Sequence, residues 1–443
     1  MARPFLSPPR PVLARPVTLR NSEQADRHAG VPVTTLDLLS NRAVAPLLAA
    51  RVISSAGVGF GQVAFVWGMR ANGYSAGAIS LVAACKAVPA LLILAGGVLG
   101  DRFRRHHVLA AAELGATVTW LAIGACLLDG RAPAALLCVL ALFSGTAYFI
   151  FMPTVRAIVA DLLPGEQRHA ANALVGQTEA VGALVGLAAA GVVVSELGAP
   201  SAAFLKAVMC AVSAVLLLRL SVPRHRTRPP GPISDLAASW RLFAAHPWLW
   251  AITLQFTSAV IATATLAEII GPLFMSEHGR TATTWGVIGA CEAFGALAGA
   301  VLAVRWTPRH PALVAVVLLL LAAAPLPVIG AAGPSVLIAA GMFASGVAKA
   351  VCLVLWITRL QKTIPVETLA GVNSWSILPA YALAPVGLLL VGPLTEVKGP
   401  GNAALVVTLS VLVSTMAALA LLLLGARASR RRKEGTAELL TAS

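Results

Sequence analysis

The sequence predicts an all-α, polytopic membrane protein of twelve transmembrane helices in two pseudo-symmetric six-helix bundles. Three observations predict it. Hydrophobic residues make up 58% of the 443-residue chain and charged residues only 12%, about half the charged content of an ordinary globular domain. Apolar runs long enough to cross a bilayer, about 18 residues or more, recur along the whole length. The basic residues fall in alternate loops: twenty-five of the 33 Lys and Arg lie on one side and four on the other, the rest within spans. The excess of Lys and Arg marks the cytoplasmic side, so both termini are expected inside. The same distribution turns the net charge of +15 into a statement about topology, not about nucleic acid.

Spans are expected at about 44–69, 76–99, 107–128, 133–152, 171–194, 200–220, 247–273, 283–304, 311–331, 334–357, 374–396 and 402–425. Residues 1–43, rich in Pro and Arg with a first acid at Glu23, have no apolar core of a secretory signal and are expected to be a disordered cytoplasmic tail. Residues 44–220 make the first bundle. Between its second and third spans, residues 97–109 carry Asp101, Arg102, Arg104 and Arg105, which cannot rest in hydrocarbon and must lie at a membrane surface.

Residues 221–246 are a cytoplasmic linker. It opens with the Pro- and Arg-rich run Ser221-Val222-Pro223-Arg224 and continues to Pro232, flexible by composition. In the rest of it Ile233, Leu236, Trp240 and Phe243 share one helical face, the mark of a short amphipathic helix on the inner surface. The linker divides the spans six and six. Residues 247–425 make the second bundle and 426–443 a cytoplasmic tail. Trp248, Trp250, Trp285, Trp306 and Trp356 fall near the expected interfaces, where an aromatic belt anchors helices.

The six cysteines all fall inside spans, the eight histidines in loops or tails, and no Cys-x-x-Cys occurs. A disulfide framework, a zinc site or a haem is therefore not expected. No phosphate-binding loop occurs, so ATP-driven pumping is not expected.

The 97–109 hairpin resembles the loop signature G-x-L-x-D-R-x-G-R-R of the major facilitator superfamily of transporters, at Gly97, Leu99, Asp101, Arg102 and Arg105. Arg104 replaces the family's glycine and His106 its last basic residue. The run Met152-Pro153-Thr154-Val155-Arg156, Asp161-Leu162-Leu163-Pro164-Gly165-Glu166 and Ala171-Asn172-Ala173-Leu174 is similar to that of the branch holding the enterobactin exporter and many bacterial drug effluxers. Gln361-Lys362-Thr363-Ile364-Pro365, Ala384-Pro385-Val386-Gly387 and Gly392-Pro393-Leu394 look like the same branch. Gly182, Gly186, Leu187, Ala190 and Gly191 resemble the exporter-associated G-x-x-x-G-P-x-x-G-G element, although tight helix packing produces the same small-residue pattern.

The resemblance covers residues 44–425. It implies a secondary transporter, not an enzyme, without cofactor. It would work by alternating access, with a small-molecule substrate bound near the midplane between the halves. The branch implies efflux of a small amphipathic compound (a drug, an antibiotic or a siderophore-like metabolite) in exchange for protons, by a monomer in the plasma membrane. It further implies a conformational latch of Gly97, Asp101, Arg102 and Arg105 with Arg156 and Asp161, although helix capping and charge retention explain the same arginines. An importer or uniporter, a polytopic enzyme acting on a lipid-linked substrate and a sensor on a transporter fold remain alternatives.

Ionisable residues inside spans are costly, so each is a functional candidate. Glu292, with Lys86 at the equivalent depth of the other half, lies near the midplane. Glu179 and Glu113 lie nearer the inner face. These three acids are the candidates for proton coupling, with Glu113 also expected in a structural pair with Arg51 or the inner loops. Lys349 is placed to meet an anionic group or to neutralise an acid. Gln62, Tyr148, Gln255 and Phe256 are candidates to face substrate. Glu268, near the outer end of its span, is expected to reach headgroups.

Overall fold

The computed structural model describes residues 44–92, 104–162, 165–220, 233–306 and 308–441. Every regular element among them is helical. The first half holds span 1 (Ala45–Ala71), span 2 (Ala76–Ala87, tightening to a 3-10 helix over Val88–Leu92), span 3 (Arg105–Asp129), span 4 (Ala134–Leu162), span 5 (Gly165–Leu197) and span 6 (Ala199–Leu218). A surface helix, Ile233–Ala245, leads to the second half. There span 7 runs from Pro247 to Glu277, span 8 is Ala282–Arg305, span 9 runs from Pro311 to Gly330 and span 10 is Ser335–Thr363. The last helix, Val366–Thr441, is broken by non-helical Gly399 into spans 11 and 12.

Ten of the described helices are long and apolar enough to cross a membrane, and one of these holds both span 11 and span 12. Span 2 adds a shorter apolar helix, Ala76–Leu91. All twelve expected spans are thus represented by helix among the described residues, span 2 as far as Leu92. Their exterior is apolar: Val118, Leu128, Val304, Leu390 and Val397 are each more than two-thirds exposed, a surface suited to lipid, with backbone polar groups satisfied within each helix.

Several helices outrun their expected limits. Spans 4 and 5 carry helix through most of the polar run 153–170, and span 12 continues to Thr441. A helix needs no apolar sequence once it leaves hydrocarbon, so hydropathy marks the membrane and not the helix end. Two tryptophans also depart from expectation. Trp285 and Trp356 are buried. The Trp285 ring packs where a side chain on Gly271 would lie, and the Trp356 Nε1 donates to Asn373 Oδ1 at 3.3 Å. The surface helix is seated on the second half, where Trp240 meets Phe243, Trp250 and Trp375.

The pseudo-symmetry is visible in the turns at the end away from the linker, here the far end. Ser75 Oγ accepts from Ala78 N to cap span 2, and Thr281 Oγ1 accepts from Thr284 N to cap span 8. The turn between spans 5 and 6 places Gly198 at φ 82°, ψ 162°, and the turn between spans 11 and 12 places Gly399 at φ 79°, ψ 160°. That region is closed to side chains bearing a Cβ, so both positions require glycine.

The halves meet along spans 5 and 8 and along spans 2 and 11. Gly191 of span 5 lies against Ala282 and Gly286 of span 8, and Gly392 of span 11 against Ser80 of span 2. Thr283 Oγ1 donates to Ser195 Oγ at 2.9 Å, and Gly77 N donates to Glu396 Oε2 at 3.1 Å. The far end is therefore closed.

Candidate functional site

Two adjoining cavities lie between the helices. One, of about 260 Å³, opens among spans 1, 3, 4 and 6 and is lined by Ser54, Glu113, Trp120, Tyr148 and Lys206. The second, of about 340 Å³, lies between the halves, with Thr263, Glu292 and Lys349 in its wall. Gln62, Lys86, Ala87 and Glu268 line both. Spans 1, 2, 7, 8 and 10 thus bring one amide and four charges to a single boundary near mid-helix.

Those four charges form two pairs. Lys86 Nζ of span 2 lies 2.6 Å from Glu268 Oε1 of span 7, joining the halves. Lys349 of span 10 pairs with Glu292 of span 8 within the second half. Span 7 reaches the site by a local change of winding. Leu266–Ile270 form a turn of π-helix with Glu268 at its centre, a distortion frequent at functional sites. Glu268 does not reach headgroups: its side chain is 14% exposed and ion-paired. Depth along the span does not reveal this placement, because it says nothing about which face a π-turn presents.

The other candidates separate. Arg51 pairs with Glu179 at 2.7 Å, not with Glu113, and also donates to Met152 Sδ at 3.3 Å. Glu113 is buried and accepts from Ser213 Oγ at 3.2 Å. Lys206 lies over the Trp120 ring, 4.5 Å from its centroid, while Trp120 Nε1 donates to Ser144. Tyr148 lines the first cavity and stacks edge-on with Phe149, which meets Tyr381 of span 11. Gln255 is fully buried between spans 7 and 12, donating to Thr415 Oγ1 at 2.8 Å and accepting from Ser414 Oγ at 2.9 Å. Phe256 packs into the same core. Neither lines the two cavities. Of the expected latch, Gly97, Asp101 and Arg102 lie outside the described residues, as do the side chains of Arg156 and Asp161. Arg105 begins span 3.

The model of the Major Facilitator Superfamily matches residues 38–385. The chain belongs to the major facilitator superfamily. It is 28% identical over 390 residues to the multidrug efflux pump Tap of Mycobacterium tuberculosis, covering 81% of this chain and 89% of the relative, and likewise to Tap of Mycobacterium bovis. Among solved structures it resembles a point mutant of the nucleoside transporter NupG, with a TM-score of 0.69 at 15% identity, covering 85% of this chain and 99% of that one. It also resembles a bacterial homologue of the human lysosomal transporter Spinster, inward-facing and unoccupied, with a TM-score of 0.64 at 16% identity, covering 88% and 96%. These likenesses show a facilitator fold.

An internal repeat of this facilitator carries the site. Ala84-Cys85-Lys86-Ala87 in span 2 matches Ala290-Cys291-Glu292-Ala293 in span 8. Ser144-Gly145-Thr146-Ala147-Tyr148 in span 4 matches Ser345-Gly346-Val347-Ala348-Lys349 in span 10. The backbones repeat the match: the Lys86 carbonyl occupies the place a Cβ on Gly145 would take, and the Glu292 carbonyl that of a Cβ on Gly346. Lys86 and Glu292 are thus one position of the fold with opposite charge. The sequence holds this signal, and a search for internal repeats finds it.

Proposed function

We propose that the chain is a proton-driven exporter of a small amphipathic compound, working by alternating access in the plasma membrane with both termini cytoplasmic. The observation that carries the reading is the charged cavity near mid-helix, between halves closed on each other at the far end. With the basic loops inside, that end faces outward, and its closure supports an inward-facing state. Apolar walls with a few convergent polar groups suit an amphipathic ligand.

Glu292 is the carboxylate that carries the coupling proton, and Lys349 is its ion-pair partner. Gln62 and Tyr148 orient the substrate. Asp101, Arg102 and Arg105, with Gly97 turning the chain, latch the inner ends against Arg156 and Asp161 when the cytoplasmic side closes. Glu179 and Glu113 act within the first half, Glu179 holding Arg51. Similarity to an efflux pump over most of the chain supports the direction.

The test is accumulation of a compound panel in a bacterium lacking its own effluxers, with and without an uncoupler. The reading expects at least one compound to be held at lower level by the protein, with the difference lost on uncoupling and in Glu292→Gln. Uncoupler-sensitive uptake would make it an importer, and no uncoupler-sensitive difference for any compound would overturn proton-driven export.

A further inference from the structure

We infer that the first cavity is a subsite for an anionic group held by Lys206, and that the compound carried is an amphipath whose apolar body bears a carboxylate or sulfonate. The subsite's place in transport rests on the export reading above. The binding it predicts does not.

The lysines around the two cavities do not all find acids. Lys86 takes Glu268 and Lys349 takes Glu292. Among the described residues Lys206 has neither an ion-pair partner nor a hydrogen bond; its ammonium lies over the Trp120 ring, 4.5 Å from the centroid. Span 6 begins at Ala199, which puts Lys206 about 10 Å in from the far end. A cation at that depth without a counter-charge is costly. An anion in the cavity that Lys206 lines offsets the cost, because a desolvated charge is tolerated when it is paired.

The surroundings are shaped to the ammonium. Trp120 Nε1 donates to Ser144 Oγ at 3.0 Å and the ring meets Phe65 edge-on, so the ring is fixed under Lys206. Span 1 presents Gly61 at this level. A Cβ there would lie 2.8 Å from Lys206 Nζ and 2.7 Å from Trp120 Cζ2, and glycine leaves the ammonium its place. Gln62, the next residue, lines both cavities, so a body anchored at Lys206 extends past it toward the boundary between the halves.

The second half has no counterpart. Lys206 stands eight residues past Gly198, and Val407 stands eight past the equivalent Gly399. Trp120 stands ten residues before Gly130, and Ala322 ten before Ala332. The match holds in space: Trp120 bonds Ser144, and Ser345, which repeats Ser144, donates to the Ala322 carbonyl at 3.2 Å. Val407 and Ala322 are buried in the packed core. The repeat therefore supplies the scaffold on both sides, and the first half alone adds a cation, an indole and a cavity.

Two acids also line this cavity. Glu268 is neutralised by Lys86. Glu113 accepts from Ser213, seven residues beyond Lys206 on span 6, which sets it about 10 Å nearer the linker end. An anionic group entering from the linker end thus settles at the Lys206 side, away from Glu113.

The probe is naphthalene-1-sulfonate, with naphthalene-1-sulfonamide as its neutral isostere. Each is titrated by equilibrium dialysis against the full chain in nanodiscs of zwitterionic lipid, without a gradient, with empty nanodiscs as background. The parent should bind the sulfonate about tenfold more tightly than the sulfonamide, the worth of one charge-assisted contact. Lys206→Gln and Lys206→Met should erase that preference and keep the sulfonamide affinity. The sulfonate should raise the thermal midpoint of the parent and not of Lys206→Met. Lys398→Gln, which removes the same charge at the far end, should keep the preference. Gly61→Ala displaces the ammonium without removing it, and should lower the preference even if the Lys206 variants fail to fold.

Equal binding of the two probes by the parent, a preference that survives in Lys206→Met, or its loss in Lys398→Gln would overturn the subsite. The accumulation assay fails independently. Uncoupler-insensitive export with the preference intact would leave the subsite and remove proton drive.

Discussion

At Arg51 a guanidinium is buried to 4% exposure, and its neighbours show what that demands: the Glu179 carboxylate, the Met152 sulfur and the Phe151 ring. Removing one partner of such a pair strands the other charge, whereas replacing both with apolar groups is nearly neutral. Glu179→Gln should therefore cost about 1–3 kcal/mol, seen as a lower thermal midpoint in detergent. Arg51→Met with Glu179→Met should recover most of it; equal loss in the single and the double variant would deny the pair a structural role. Gln255 gives a second residue-scale prediction. Its amide is fully buried and tied to Thr415 and Ser414. Gln255→Met should cost a similar amount, about 1–3 kcal/mol, seen as a lower midpoint, and leave the range of exported compounds unchanged. A changed range would return Gln255 to the binding site.

Among the elements, the turns and the small-residue stripe carry the clearest tests. Gly399 and Gly198 hold the same backbone conformation in the two halves. Gly399→Ala should cost roughly 1–3 kcal/mol, read by thermal unfolding. The turn between spans 9 and 10, counterpart of the span 3–4 turn where Gly130 holds φ 71°, places Ala332 at φ 53°, where Ala332→Gly should instead raise the midpoint. In span 5, Gly182 and Gly186 lie against the backbone of span 1 at Val52 and Ala56, and Gly191 against span 8. The exporter-like element of the sequence is thus a close-packing surface here, with Leu187 beside Gly59, Gly286 and Gly289. Gly186→Leu should prevent span 1 from seating and abolish folded protein on size exclusion.

These elements also mark how far the sequence could be read. Span number and chain division follow from hydropathy and charge, because hydrocarbon imposes one simple rule on every crossing segment. Helix ends beyond the membrane do not, as span 12 shows. The charged site is half legible: depth alone picks out Lys86 and Glu292, the resemblance places Lys349 on a cavity-lining span, and the repeat around Cys85 and Cys291 ties the first two together. Glu268 was not, because its place depends on a π-turn that no spacing rule reveals. The partner of Arg51 was missed for a related reason. Depth makes Glu113 and Glu179 equal candidates, and only the packing of span 5 on span 1 chooses between them.

For the whole molecule, the central claim is that two rigid halves rock about the charged boundary, opening the far end as the linker end shuts. The closed far end brings Ser195 of span 5 and Thr283 of span 8 to hydrogen-bonding distance, 2.9 Å between hydroxyl oxygens. A cross-link there freezes one state. The most direct measurement is uncoupler-sensitive export by Ser195→Cys with Thr283→Cys, before oxidation, after oxidation and after reduction, beside each single variant treated alike. Export should stop when the pair is cross-linked, return on reduction and persist in the single variants. Undiminished export by fully cross-linked protein would contradict alternating access through this end.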